Sequence, residues 1–121
     1  MLKIKFSKEW DKLKAKKFKK GEIFTTFRVY TPRKRKYYFE RLVNRDNELF
    51  DVQLNGELIG KARLVSVDDR WSHSITPSEI EKDTYQGWTT REFKDFLEKF
   101  YESEDVFGLW MKFRVEEVYK R

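Results

Sequence analysis

The sequence predicts an α+β domain: a small, mixed, mostly antiparallel β-barrel with helices at its periphery. Three observations lead there. Five segments alternate apolar and polar residues with the period of two expected of half-buried strands. Asn55-Gly56 joins two of them as a tight hairpin. Two Thr-x-x-Glu capping boxes open helices late in the chain.

Leu2, Ile4 and Phe6 alternate with Lys3 and Lys5, giving a short strand over 2–6. Ser7 caps a helix that begins at Lys8 and frays by Lys17. Trp10 and Leu13 lie on one side of it, with Lys8, Lys12, Lys16 and Lys19 on the other. Gly21 stops that helix. Residues 22–30 form the next strand, ended by Thr31-Pro32. Arg33-Lys34-Arg35-Lys36 is expected to be an exposed loop, because four adjacent cations repel. Tyr37, Tyr38 and Phe39 fit a strand or a turn.

Leu49 to Leu54 reads as a strand, and the return strand of the hairpin runs to about Val67, with a bulge at Gly60. Asp68-Asp69-Arg70-Trp71 breaks the strand pattern. Thr76-Pro77-Ser78-Glu79 combines a capping box with proline at the first helical position. Thr89-Thr90-Arg91-Glu92 is the second box. Phe93, Phe96, Leu97 and Phe100 follow it at helical spacing, so a helix spans about 90–101. The last strand covers 108–119, with Leu109, Met111, Phe113 and Val115 on one side. No repeat or linker interrupts the chain, so its 121 residues form one domain, 1–121.

Composition narrows the function classes. Cysteine is absent, which excludes disulfides, thiolate nucleophiles and Cys-ligated zinc. With a single histidine as well, no cofactor and no dedicated transition-metal site is expected. No apolar run approaches the roughly 18–20 residues of a membrane helix, and no signal-peptide pattern begins the chain. A cytoplasmic, monomeric protein without a membrane partner is the expectation. Asn and Gln are scarce beside Lys and Glu, a balance typical of thermophile proteins.

The net charge of +6 hides an asymmetry. Residues 1–45 carry 16 Lys/Arg against 4 Asp/Glu, and residues 46–121 carry 11 against 17. The basic excess falls in two dense runs, around Lys8–Lys20 and Arg33–Lys36, which points to a polyanionic partner. Between the runs lies an anomaly. On the strand 22–30, Phe24, Thr26 and Arg28 point one way and Ile23, Thr25 and Phe27 the other. A guanidinium beside a core phenylalanine needs either a ligand or a carboxylate, and Glu48 or Asp51 on a neighbouring strand would supply the latter.

Several motifs in order carry a resemblance. They are Gly21 followed by Thr25-Thr26-Phe27-Arg28, the Asn55-Gly56 hairpin, Gly87-Trp88-Thr89-Thr90 before Arg91-Glu92-Phe93, and Met111-Lys112-Phe113 in the last strand. Together they resemble the ASCH domain family, a branch of the PUA-like barrels, over nearly the whole chain. The resemblance implies a cleft where the Thr-x-Arg strand meets the loop before the last helix, and RNA or nucleic-acid binding as the activity. Some small members hydrolyse an acylated cytidine with a lysine, a threonine and a glutamate. Thr26 matches the threonine. Ile23 stands where the lysine would be, and Gln86 where the glutamate would be. Neither can do that acid–base work, which weighs against the hydrolase.

The expected function is therefore non-covalent binding of RNA or a modified nucleotide. Thr26, Arg28 and Trp71 would shape the cleft, while Lys8, Lys12, Lys16, Arg33, Lys34, Arg35 and Lys36 hold phosphates. Trp71, Tyr85 and Trp88 fall in loops at the cleft rim. Trp71 is the stacking candidate, and Trp88, at a helix start, fits the core better. Ser72-His73-Ser74 reads as a polar loop rather than a nucleophile with its base. Asp68 and Asp69 read as turn formers rather than ligands for a divalent ion. The alternatives are a hydrolase of a small modified nucleoside using Thr26, a ribonuclease, or a protein-interaction module with an acidic partner.

Overall fold

The computed structural model describes residues 2–6, 18–43, 49–54, 56–84, 89–101 and 106–119. Five strands, β1 (Lys3–Phe6), β2 (Ile23–Val29), β3 (Phe50–Leu54), β4 (Glu57–Trp71) and β5 (Phe107–Val118), form one curled sheet in the order β1-β3-β4-β5-β2. Only the β1/β3 pair is parallel, and the other three pairs are antiparallel. The chain is thus a mixed α+β fold around a barrel-like sheet.

The inner face of the curl holds the larger core. Ile4, Phe24, Phe50, Val52, Ala62, Leu109, Met111, Phe113 and Val115 are buried there. The period of two on β2 holds as the sequence implies: Phe24 stacks on Phe113 inside, with centroids 5.3 Å apart, while Phe27 meets Trp110 on the outside. The outer cluster joins Phe27 and Trp110 to Ile75, Ile80, Phe93, Leu97 and Val106. Helices α2 (Pro77–Thr84) and α3 (Thr90–Tyr101) supply that cover.

Both helices start as their sequences dictate. The Thr76 amide donates to Glu79 Oε1 at 3.0 Å, and the Glu79 amide donates to Thr76 Oγ1 at 3.3 Å. The Thr89/Glu92 box is its counterpart, with both bonds at 3.1 Å. Each box satisfies two amides that the first helical turn leaves without partners. The β3/β4 hairpin closes through Gly56, whose φ of +82° suits a residue without Cβ. Beside Gly60 the β3/β4 register slips, leaving Ile59 without an opposite residue on β3.

Three expectations are corrected, one of them the strand or turn at Tyr37, Tyr38 and Phe39, which are helical. Arg33-Lys34-Arg35-Lys36 is not a loop: it forms the first turns of α1 (Pro32–Val43). Thr31 caps this helix, its hydroxyl accepting the Lys34 amide at 3.0 Å, and Pro32 takes the first helical position. Successive side chains on a helix diverge by about 100°, so the four cations spread around the axis into water instead of clashing. Tyr37, Tyr38 and Leu42 then hold the helix against the inner core. Asp68-Asp69-Arg70-Trp71 does not end the strand either. β4 continues through it, paired in register from Asp68↔Trp110 to Trp71↔Phe107. Pairing with a long neighbour outweighs the poor strand propensity of aspartate.

The expected helix over 8–17, with Lys8, Lys12, Lys16, Trp10 and Leu13, lies outside the described residues, as do Glu48, Asn55, Tyr85, Gln86 and Trp88. Among the described residues, no helix is long and apolar enough to cross a membrane.

Candidate nucleic-acid interface

Arg28 sits where the curled sheet comes back on itself. β1 and β2 are the two outer strands of the sheet order. From β2, Arg28 Nη2 donates to the Lys5 carbonyl of β1 at 2.8 Å, so the side chain ties the two edges together. Its Nε donates to Thr26 Oγ1 at 3.2 Å. Thr26 is only 3% exposed and lies on the same strand face, two residues away, which sets the guanidinium's plane. The expected carboxylate is not supplied by Asp51. It alternates with the buried Phe50 and Val52 and so faces the other side of the sheet.

Tyr38 of α1 closes the same region from above. Its ring stacks on Phe50 at 6.0 Å. Burial pushes its hydroxyl pKa up, and the positive charge of Arg28 pulls it part of the way back. The inner wall near the seam is therefore a neutral phenol, a buried threonine hydroxyl and a fixed cation.

Further along the same face, the sheet ends in a row of aromatic rings, Tyr30 and Phe107 half-buried and Trp71 exposed. Leu109 pairs with Arg28 on one side and Asp69 on the other; two residues back on β5, Phe107 pairs with Trp71. Tyr30 and Phe107 approach to 5.0 Å between centroids, and the Tyr30 amide bonds the Phe107 carbonyl at 2.9 Å. Phe107 and Trp71 are 4.8 Å apart. His73 then stacks on Trp71 at 6.3 Å, with the planes 18° apart. Trp71 is 46% exposed. Sequence reading singled out Trp71 but passed over Tyr30 and Phe107, and it took His73 for a polar loop residue. Their common location arises from pairing between strands far apart in the chain.

The cationic helix adjoins this row. α1 begins two residues after Tyr30, and Arg35 Nε reaches Asp69 Oδ2 on β4 at 3.1 Å, two residues before Trp71. Arg35 also lies over the Phe39 ring, 5.3 Å from its centroid. Arg33, Lys34 and Lys36 are exposed. Among the described residues, Arg33 and Lys34 have no carboxylate within ion-pair distance. The structure thus brings Trp71, Arg33, Lys34, Arg35 and Lys36 to one end of the sheet, with Thr26 and Arg28 deeper on the same inner face.

The loop after Trp71 is tied down by the serines flanking His73. Ser72 is fully buried: its amide donates to the Val106 carbonyl at 2.7 Å, and its hydroxyl accepts the Val106 amide at 2.9 Å. Ser74 Oγ donates to the Trp71 carbonyl at 2.7 Å. Both hydroxyls hold backbone, a structural duty rather than a nucleophilic one. Asp69 is engaged with Arg35. Among the described residues, no three His, Asp or Glu side chains cluster as a metal site would require. Ile23, where the ASCH resemblance would put a lysine, is an exposed residue at the start of β2. No protein-family model, curated protein or solved structure matches the chain.

Proposed function

We propose that this chain is a PUA-like domain of ASCH type that binds RNA, or a modified nucleotide within it, without covalent chemistry. One observation carries the reading. Four consecutive cations sit on a helix that is tied through Arg35 and Asp69 to the strand bearing an exposed tryptophan. Phosphate attraction and a flat apolar surface are what a nucleic acid presents partners for, and here they share one end of the sheet. Arg28 lies deeper on that face, its Nε on Thr26 and its Nη2 on the Lys5 carbonyl, and adds a fixed positive charge there. In this reading the same residue holds the barrel seam and lines the cleft.

The test is fluorescence anisotropy of a short labelled RNA across a salt series. Arg33→Glu/Lys34→Glu is compared with the wild type, since it leaves the Arg35–Asp69 pair in place. Binding should weaken with salt, with a log–log slope of about 0.7 per phosphate contact on a single strand. The double variant should bind more weakly and with a shallower slope. Wild-type protein that fails to bind RNA even at low salt would refute the proposal.

A further inference from the structure

The aromatic row at the end of the sheet offers what a basic surface alone lacks, the faces of aromatic rings. Four rings run in contact across it, Tyr30 to Phe107 to Trp71 to His73. They come from the end of β2, the start of β5, the end of β4 and the loop beyond. Neither apolar core includes Trp71, which is nearly half exposed. A large ring left in water over a charged helix is a contact surface in search of a flat partner.

The surface is also rigid before anything binds. The Ser72–Val106 hydrogen bonds, the Ser74–Trp71 bond and the Tyr30–Phe107 backbone bond fix the backbone beneath all four rings. Preorganisation of this kind avoids the ordering cost that a mobile loop would bear on binding. Arg33 and Lys34 stand on the helix that begins just after Tyr30, so a strand laid on the rings has cations for its phosphates.

We infer that this row is a stacking platform for unpaired nucleotides, so that the ligand is single-stranded RNA or a single-stranded segment of a folded RNA. The inference rests on the nucleic-acid reading above and narrows its ligand. Bases within a duplex already stack on one another and offer no free face, whereas an unpaired base does. Charge complementarity selects a polyanion, and the exposed Trp71 ring, backed by the half-buried Phe107, selects the unpaired form of it.

The experiment compares three probes at low and at moderate salt: a ten-nucleotide single strand, the same sequence in a duplex, and an abasic strand of equal length. The proteins are wild type, Trp71→Ala, Trp71→Phe and Arg33→Glu/Lys34→Glu, each checked for folding by circular dichroism. Wild type should prefer the single strand over the duplex. Trp71→Ala should lower single-strand affinity about tenfold to a hundredfold, and Trp71→Phe should recover most of it. The abasic strand should bind wild type about as weakly as the normal strand binds Trp71→Ala. The helix double variant should weaken all three probes alike. Equal binding of all three probes by wild type, with Trp71→Ala unchanged and salt dependence intact, would overturn the platform and leave the basic surface standing. No binding of any probe at low salt would overturn both.

Discussion

Replacing Glu79 by glutamine should uncover a pH-dependent share of the protein's stability. Glu79 accepts from both terminal Arg70 nitrogens, Nη1 to Oε2 at 2.9 Å and Nη2 to Oε1 at 3.0 Å. It also accepts the Thr76 amide and the Thr76 hydroxyl, each at 3.0 Å. Burial opposes its ionisation. That effect is outweighed by the bonds from Arg70 and Thr76, which hold the carboxyl at about 2 against an ordinary 4.5. A depression of that size corresponds to about 3 kcal/mol by linkage. Both side chains are about a quarter exposed, so screening by water brings the useful figure nearer 1–2 kcal/mol, as for partly exposed pairs. Because the folded pKa lies below the unfolded one, this stability is fully present above about pH 4.5. It is lost as the pH falls towards about 2. A glutamine amide keeps an oxygen for the Thr76 cap but sets its NH2 against Arg70 Nη1, so Glu79→Gln removes the charge and one bond from Arg70. Urea unfolding of both proteins at pH 7, 5, 4 and 3 should show a gap of about 1–2 kcal/mol at pH 7 that narrows below pH 4.5. A gap unchanged from pH 7 to pH 3 would refute the reasoning.

Two further substitutions probe the sheet. In Gly108→Ala the new Cβ would lie 2.5 Å from the Arg28 carbonyl oxygen and 2.5 Å from the Phe27 ring. Denaturant titration should therefore show a loss of about 1–3 kcal/mol or more, since neither a strand backbone nor a buried ring can yield cheaply. Phe27→Leu in the same chain should not restore it, because the carbonyl clash remains. Arg28→Leu removes the donors to Lys5 and Thr26, at a cost of about 1–3 kcal/mol for the acceptors left behind. Amide exchange in β1 should accelerate more than in β5. Unchanged exchange in β1 would show that the seam does not depend on Arg28.

What the sequence determined by itself is what local chemistry encodes. Alternation on residues 23–29 placed Phe24, Thr26 and Arg28 on one face, and the structure keeps them there. Thr76/Glu79 and Thr89/Glu92 announced their helices, because a capping box is complete within four residues. The hairpin at Gly56 needed only a residue at ease with positive φ. Charge repulsion misled where it was weighed without packing. Exposed cations on a capped helix are screened by water, and Tyr37, Tyr38 and Leu42 have a core to bury against. Asp68 to Trp71 misled in the same way, since their strand state depends on β5, some forty residues onward. The row from Tyr30 through Phe107 to Trp71 and the bond from Arg28 to Lys5 join residues that share no sequence neighbourhood. Pairing of β2 and β4 with β5 assembles the row, and the curl of the sheet brings Arg28 to Lys5. Contacts of that kind are set by strand order and register, which no short stretch of sequence contains.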